Sequence, residues 1–398
     1  MSLNATPSGE RIHIGVFGRR NAGKSSLLNA ITGQSIAVVS DVKGTTTDPV
    51  YKAMELLPLG PVMLIDTPGL DDEGKLGALR VEKANQAMAK THIALVVADA
   101  TVGLTFFEQQ IIDACKQKEI PTLVVYNKAD LLPQLPTDDQ LYVSAITGLN
   151  IDTLKNALAQ LKPAATQEAP LIADLVKAGD LVILVTPIDG SAPKGRLILP
   201  QQQVIRELLE AEALITVVQP DQLPTALALA TPKIVVTDSQ VFGKVASIVP
   251  VSTPLTSFSI LMARHKGFLE TAVKGAAALR QIQSGDKILI AEGCSHHRQC
   301  EDIGTVKLPR LIRSFTDSEP DFTFTAGQDF PNDLNDYKMV IHCGGCMLGN
   351  RQVLDRMNRA IDQGLPFTNY GTAIAYMNGI LQRSLSLFPN LQQLAKGE

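Results

Sequence analysis

A glycine-rich segment near the start of the chain carries residue types that hold phosphate groups. Gly18, Gly23, Lys24 and Ser25 follow the pattern Gly-x-x-x-x-Gly-Lys-Ser, between the apolar run "RIHIGVFG" and the helical pattern "KSSLLNAITG". In such a P-loop the backbone N–H groups surround phosphate oxygens, the lysine reaches the β- and γ-phosphates, and the serine hydroxyl is a ligand of Mg²⁺. The pattern predicts nucleotide binding by seven residues: Gly18, Asn21, Ala22, Gly23, Lys24, Ser25 and Ser26.

Two later segments indicate that the base is guanine. Asn127, Lys128 and Asp130 come directly after the apolar run "TLVVY". The Asp130 carboxylate only accepts hydrogen bonds, so it suits the N1–H and amino donors that guanine presents and adenine does not. Ser144 and Ala145, in "YVSAITG", are predicted to lie against the guanine oxygen. The nucleotide is therefore predicted to be GTP.

Two further segments have the residues of a hydrolytic switch. Asp66 and Gly69, in "LIDTPGL", are predicted to face Mg²⁺ through water and the γ-phosphate, and Thr46, in "KGTTTDP", is predicted to contact Mg²⁺. Together with Lys24, Thr46 and Gly69 are the predicted catalytic residues. Leu70 stands where Ras-like GTPases have the glutamine that orients the attacking water, so slow GTP turnover is expected. Which of the acidic residues that follow orients the water stays open: Asp71, Asp72 or Glu73.

A second group of residues with metal-binding chemistry lies in the last third of the chain. Cys294 and His296 follow the apolar run "KILIAEG", and His342, Cys343 and Cys346 end or follow "YKMVIH". Ligands collect outside the carboxyl ends of parallel strands, so these two segments are expected to meet in one pocket. Three thiolates and two imidazoles suit tetrahedral zinc, or an iron–sulfur cluster with three cysteine ligands and one other position. Spacing alone does not separate these two metals.

The cysteines allow two interpretations other than a metal or cluster site. They could form a thiol redox pair, but the neighbouring histidines would then have no role. They could also be buried cysteines that have no function beyond packing. Cys300 lies near the pattern but outside it, and Cys115 falls in a helical segment, where packing explains it.

The elements that position these residues alternate between strands and helices, which predicts an α/β fold with parallel sheets. The segment "LAQLKPAATQEAPL", with Pro163, is predicted to be a linker after a P-loop GTPase domain. We therefore expect three domains: a GTP-binding domain at 1–165, a small dimerisation domain at 166–251 and a cluster-binding domain at 252–398.

The composition restricts the class of protein. The formal net charge is −4 and there is no tryptophan, which argues against nucleic acid as a partner. The N-terminus lacks the apolar region of a signal peptide, and no apolar run reaches 18 residues, so membrane insertion is not expected. A cytoplasmic location, with five reduced cysteines, is the resulting expectation.

The motifs carry two resemblances to known families. The nucleotide motifs resemble the TrmE–Era branch of GTPases, which implies that Asn21 helps to hold a potassium ion. The whole chain, with its Cys-x-His and His-Cys-x-x-Cys segments, resembles the HydF family of FeFe-hydrogenase maturation GTPases.

The second resemblance implies a cofactor, partners and a function. It implies a 4Fe-4S cluster bound by Cys294, Cys343 and Cys346, with His296 and His342 as further candidate ligands. It also implies a homodimer that serves as a scaffold for the diiron subcluster of hydrogenase. The radical SAM maturases HydE and HydG would supply that subcluster, and the apo form of the hydrogenase would receive it. The alternative function is a ribosome- or tRNA-directed GTPase with a structural zinc domain.

Overall fold

The computed structural model divides the chain into two compact units, Met1–Gln167 and Glu168–Glu398. It describes residues 8–33, 50–67, 84–161, 169–188, 197–293, 303–327 and 329–395. Each unit is built from strands and helices that alternate along the chain, so the predicted α/β fold is confirmed.

The first unit contains a six-stranded sheet with the order β2-β3-β1-β4-β5-β6. Only the β2–β3 pair is antiparallel. All seven residues of β4 are buried, as expected for a parallel strand covered on both faces. The strands are β1 (Ile12–Phe17), β2 (Val50–Leu56), β3 (Gly60–Asp66), β4 (Ile93–Asp99), β5 (Thr122–Asn127) and β6 (Leu141–Tyr142), and the helices are α1 (Lys24–Thr32), α2 (Phe106–Gln117) and α3 (Ile151–Gln160).

The second unit begins with an all-parallel four-stranded sheet with the order β10-β9-β7-β8. The predicted helix with Pro200 in its first turn is confirmed, and it packs its buried Val204 and Leu208 against this sheet. The strands are β7 (Leu181–Val185), β8 (Leu214–Val218), β9 (Ile234–Thr237) and β10 (Leu255–Ser257), and the helices are α4 (Leu199–Glu210), α5 (Leu223–Leu229), α6 (Phe242–Ile248) and α7 (Phe258–His265).

A second all-parallel sheet, with the order β12-β11-β13-β14, completes this unit. The adjacent strands β11 and β13 pair up to Ala291 and His342, so the segments that follow them leave the sheet side by side. The strands are β11 (Lys287–Ala291), β12 (Asp321–Thr325), β13 (Met339–His342) and β14 (Phe367–Asn369), and the helices are α8 (Leu269–Ala276), α9 (Leu308–Thr316), α10 (Asn350–Asp362), α11 (Tyr370–Met377), α12 (Leu381–Ser384) and α13 (Pro389–Leu394).

Several of these strands are not predicted from the sequence, among them β2, β4, β10 and β12. β10 has only three residues, too few for a periodic pattern, and it lies beyond the expected boundary at 251 although it pairs with β9. Throughout the described ranges, no helix has the length and apolar character needed to cross a membrane.

Candidate functional site

The P-loop has a backbone that only glycine tolerates at two positions. Gly18 and Gly23 have φ angles of 142° and 85°. A Cβ atom at Gly18 would lie 2.3 Å from the carbonyl oxygen of Val97, and one at Gly23 would lie 2.3 Å from Nδ2 of Asn127. Both glycines therefore allow the loop to approach neighbouring strands closely. Asn21, between them, also has a positive φ of 60°.

Lys24 closes over the P-loop. Its side chain is buried, and its Nζ donates to the carbonyl oxygens of Gly18 and Arg19, each at 2.9 Å. The ammonium group is thus held at the mouth of the loop, where the start of α1 adds a partial positive charge. A polyphosphate is the ligand that this arrangement suits.

Ser25 and Asp66 form a pair of oxygen donors beside the P-loop. The Ser25 hydroxyl donates to Oδ2 of Asp66 at 2.7 Å. The second carboxylate oxygen, Oδ1, is buried without a hydrogen-bond partner among the described residues, and burial raises the pKa of Asp66. A hydroxyl and a carboxylate with an unused oxygen fit Mg²⁺, which prefers such ligands and keeps several waters.

Asn127 links the phosphate-binding loop to the base-binding loop. Only 2% of this residue is exposed; its Nδ2 donates to the carbonyl oxygen of Ala22 at 3.0 Å, and its Oδ1 accepts the N–H of Ala145 at 3.1 Å. One amide group therefore holds two loops that lie more than a hundred residues apart in sequence. The N–H of Ala145, which we expected to meet guanine, is engaged by Asn127 here.

The exposed carboxylate of Asp130 is oriented by Ser144. The Ser144 hydroxyl donates to Oδ1 of Asp130, and its oxygen accepts the backbone N–H groups of Ile146 and Thr147 at 3.3 and 3.1 Å. Ser144 itself is fully buried. The carboxylate is thus held in one direction by a hydroxyl that is itself fixed, as a guanine-reading group requires.

Two acidic residues that we did not single out support this site. Asp99, at the end of β4, accepts from Nζ of Lys128 at 2.7 Å. Burial opposes ionisation of Asp99, but the hydrogen bonds from Lys128 and Thr101 outweigh it and lower the pKa. The sequence contained a signal for Asp99, because an acidic residue at the carboxyl end of a buried parallel strand is typical of a binding site.

The second is Glu108, in the first turn of α2. It is fully buried and accepts the N–H of Arg19, within the P-loop, and the N–H of Thr105, both at 3.0 Å. Burial again works to raise the pKa, and the hydrogen bonds reverse this and lower it. The signal was the capping-box sequence Thr-x-x-Glu, which predicts the helix start but not the contact with the P-loop.

Thr46, Gly69, Leu70, Asp71, Asp72 and Glu73 lie outside the described residues. Their predicted roles in the switch segments remain predictions.

The cysteine loop, residues 343–349 between β13 and α10, contacts the segment that follows β11. Sγ of Cys343 accepts the N–H of Gly293 at 3.0 Å and the N–H of Gly345 at 3.3 Å. Gly293 directly precedes Cys294 in the sequence. Gly293, at the entrance to the first predicted ligand segment, therefore lies against the second segment at the carboxyl end of one sheet. Cys294, His296 and Cys300 themselves lie outside the described residues.

The two described thiols of this loop are protonated at neutral pH without a metal. Burial raises the pKa of Cys343 to about 11, helped by Cys346 and Glu292, while the two N–H donors act in the opposite direction. Burial also raises the pKa of Cys346, against the nearby Lys266 ammonium. N–H groups aimed at a sulfur favour a thiolate, so the loop fits a thiolate-binding metal or an iron–sulfur cluster, and binding would release protons.

Two family models match the second unit. One, described as the hydrogen maturase F dimerization domain, matches residues 171–267, and the other, the hydrogen maturase F tetramerization domain, matches residues 270–387. Together they cover more than half of the chain. The chain belongs to the hydrogen maturase F family.

The first unit of this hydrogen maturase F chain is similar to GTPases. A family model described as 50S ribosome-binding GTPase matches residues 13–128. GTPase Der of Helicobacter hepaticus is 33% identical over 179 residues, which are 40% of this chain and 37% of that protein. The tRNA modification GTPase MnmE of Thiobacillus denitrificans is 34% identical over 154 residues, or 38% of this chain and 34% of that protein. The chain thus spans about a third of the length of these relatives.

Among solved structures, Era of Aquifex aeolicus bound to GDP and aluminium fluoride is similar at 21% identity. The match covers 55% of the hydrogen maturase F chain and 97% of Era, with a TM-score of 0.35.

In this hydrogen maturase F chain, both ring nitrogens of His342 lie within hydrogen-bond distance of other groups. Its Nδ1 lies 2.7 Å from the carbonyl oxygen of Cys343, and its Nε2 lies 3.0 Å from Nη1 of Arg356. An arginine can only donate, so Nε2 accepts and Nδ1 carries the proton. Burial and the charge of Arg356 lower the pKa of His342 to about 3, which keeps the ring neutral. Both ring nitrogens are engaged in these contacts, and the role of His342 as a candidate ligand stays a prediction.

Proposed function

We propose that this chain binds and hydrolyses GTP in its first unit and holds a 4Fe-4S cluster in its second. In this proposal it serves as the scaffold on which the diiron subcluster of FeFe-hydrogenase is completed and then delivered to the apo form of the hydrogenase. The observation that carries the proposal is the hydrogen bond from Gly293 to Cys343, because it brings the segment entering Cys294 against the Cys-x-x-Cys loop of a hydrogen maturase F domain.

GTP hydrolysis rests on Lys24, Thr46 and Gly69, with Mg²⁺ held through Ser25, Thr46 and Asp66. Asn21, which is exposed and has a positive φ in the phosphate loop, would hold K⁺, and that ion would supply positive charge to the reaction as an arginine finger does in other GTPases. We expect slow turnover that is faster in K⁺ than in Na⁺, and Asn21→Ala should remove the difference. Equal rates in the two salts, measured by phosphate release, would contradict the role of potassium and leave GTP hydrolysis standing.

The cluster rests on the thiols of Cys294, Cys343 and Cys346. When bound, a 4Fe-4S cluster with three protein thiolates offers one iron whose ligand can be exchanged. The protein's own part would be to orient the sulfur of Cys343 through the N–H groups of Gly293 and Gly345. His296 remains a candidate for a contact with that iron.

The iron content of anaerobically purified protein tests this part. Cys→Ser changes at 294, 343 or 346 should each remove most of the iron, whereas Cys115→Ser should keep it because Cys115 is packed in the core of the first unit. A cluster that survives the loss of Cys294, or that requires Cys300, would mean that the ligand set is wrong.

A ribosome- or tRNA-directed GTPase with a structural zinc site is the second candidate. The similarity of residues 13–128 to ribosome-binding GTPases favours it, and the net charge of −4 opposes it. Brown protein containing iron after anaerobic purification supports the first proposal, and colourless protein containing zinc supports the second.

The proposed assembly is a homodimer held by the middle domain, within the proposed division 1–165, 166–251 and 252–398. Strand β8 is an edge of its sheet, and Leu214 and Val217 on it are 59% and 44% exposed. An apolar edge of this kind pairs readily with a second copy. Sedimentation of full-length Val217→Lys should show a monomer, and Leu57→Lys, an exposed leucine of the first unit, should still dimerise. A dimer that survives Val217→Lys would place the interface elsewhere.

HydE, HydG and the apo-hydrogenase are the proposed cytoplasmic partners.

A further inference from the structure

Arg356 is a charged residue in an apolar helix face. In α10, Val353, Met357 and Ala360 are buried at the spacing of one helix face, and Arg356 lies among them with only 2% of its surface exposed. Burying a guanidinium removes its hydration, which costs free energy unless other groups compensate. Burial lowers the pKa of Arg356 only to about 10, so the group stays charged at neutral pH.

The described neighbours of Arg356 are neutral acceptors. Its Nη1 donates to Nε2 of His342, and its Nη2 donates to the carbonyl oxygen of Gly327 at 2.5 Å. The guanidinium also lies over the ring of Phe330, 5.2 Å from its centroid. Within the described part of the chain, no carboxylate forms an ion pair with Arg356. The adjacent Asp355 is instead paired with Arg359.

The charge of Arg356 acts on the cysteine loop. His342 transmits its position, because the imidazole that accepts from Arg356 donates in turn to the carbonyl oxygen of Cys343. The buried guanidinium is therefore linked to the first residue of the cysteine loop through a single imidazole.

A second buried cation holds the other end of this loop. Lys266, at the end of α7, is 3% exposed, and its Nζ donates to the carbonyl oxygen of Leu348 at 2.8 Å. Leu348 lies two residues after Cys346 in the same loop. The loop thus has a buried cation linked to each of its ends, Arg356 through His342 at Cys343 and Lys266 at Leu348, from segments about ninety residues apart in the sequence.

We propose that Arg356, through His342, and Lys266 are positioning residues that hold the cysteine loop and stabilise the negative charge of the metal–thiolate group bound there. This inference rests on the proposed function, since it takes that group to be the 4Fe-4S cluster. Reduction adds one negative charge to a cluster, so a nearby buried cation favours the reduced form and raises the midpoint potential.

The test is an EPR-monitored redox titration of the full chain, purified and reconstituted anaerobically, with iron per protein measured on the same samples. Arg356→Met removes the charge and keeps the volume of the side chain. At the wild-type midpoint potential it should lower the ratio of reduced to oxidised cluster roughly tenfold, which is about 59 mV for one electron. Lys266→Met should shift the potential in the same direction.

Two variants separate charge from shape. Arg356→Lys keeps the positive charge but loses the guanidinium group that contacts His342. Its midpoint potential should therefore stay close to the wild-type value, while the EPR line shape should change. Arg359→Met removes the same charge one turn further along α10, where Asp355 already pairs with it, and should leave the potential at the wild-type value.

The outcomes distinguish the two levels of the argument. Wild-type protein that binds no cluster refutes the proposed function and this inference with it. A wild-type cluster together with an Arg356→Met cluster of unchanged potential refutes only the role of Arg356. If Arg356→Met does not fold, Lys266→Met and Arg356→Lys decide, and unchanged potentials and spectra in both overturn the proposal.

Discussion

The nucleotide site and the cysteine loop differ in where their cations come from. In the nucleotide site, Lys24 belongs to the loop that it closes, because its Nζ donates to Gly18 and Arg19. In the cysteine loop, the described thiols lie in one short segment, but the buried cations that hold it, Arg356 and Lys266, come from outside that segment. A polyphosphate that binds and leaves from solvent suits the first arrangement, and an anion that stays covered suits the second.

This difference indicates that the two sites are stabilised independently. The described contacts of the P-loop stay within the first unit, and those of the cysteine loop stay within the second. Each can therefore be removed by one substitution without loss of the other.

The largest expected effect tests that independence. Lys24→Ala should abolish GTP hydrolysis and leave the iron content unchanged, because it removes only the ammonium group that meets the phosphates. Cys343→Ser should remove most of the iron and leave GTP hydrolysis within about twofold, a difference of roughly 0.4 kcal/mol. Phosphate release and iron analysis on the same preparations give both values. Loss of both properties in either variant would contradict independent sites.

The next effect tests how far the nucleotide site depends on one side chain. Asn127→Ala removes a donor to Ala22 and an acceptor for Ala145, so GDP affinity should fall by about 2 kcal/mol, or roughly thirtyfold. Asn127→Asp keeps the acceptor oxygen but turns a second, anionic oxygen towards the carbonyl oxygens of Ala22 and Gly23, and should weaken binding at least as much. Calorimetry on both variants checks this, and unchanged affinity in Asn127→Ala would show that the loops are positioned without it.

A smaller effect is expected at Glu108, which ties α2 to the P-loop. Glu108→Ala leaves the N–H of Arg19 without its acceptor and should lower GDP affinity by about 1 kcal/mol, or roughly fivefold. Glu108→Gln retains an acceptor oxygen and should lose less. Asp113→Ala, an exposed carboxylate on the same helix, is the matched control and should bind GDP as the wild type does. An equal loss of GDP affinity in Glu108→Ala and Asp113→Ala would show that Glu108 has no specific effect on the P-loop.

How much of each site could be predicted follows from the same contrast. The P-loop and the segments of Asn127 and Ser144 are readable because the groups that make the pocket are consecutive in short motifs next to apolar strands. The pairing of β11 with β13 could be anticipated from two apolar runs followed by cysteines. Long-range partners such as Glu108 and Lys266 could not be predicted, because no sequence pattern next to them indicates which loop they contact.

Arg356 is an intermediate case. In "VLDRMNRAID" it stands three residues after Val353 and four before Ala360, within the apolar stripe of the helix. A charged residue at that position signals a buried charge, and this signal was available but not used. The sequence also contained the reason to doubt His342, whose side chain points to the opposite face from Cys343 if the strand continues.

A further expected effect concerns acid stability rather than nucleotide binding, and it involves His13 in the first unit. Burial lowers the pKa of His13 to about 4. The unfolded chain therefore binds a proton below about pH 6.5 that the folded chain does not, so stability falls as the pH falls from 6.5 towards 4. Between pH 7 and pH 5 this loss is about 2 kcal/mol. His13→Gln should reduce the difference in melting temperature between these two pH values. An unchanged difference would show that other groups cause the acid sensitivity.

The all-parallel sheets of the second unit also influence when its sites form during synthesis. In the first unit, β2 and β3 are joined by the three residues 57–59 and can pair as soon as both have left the ribosome. Every strand pair of the second unit needs a crossover, and β11 reaches its neighbour β13 only after about fifty further residues. Such non-local pairing is slow. Until β13 emerges, Gly293 has no Cys343 sulfur to contact, so a nascent chain would complete the described contacts of the nucleotide site well before the contact between Gly293 and the cysteine loop.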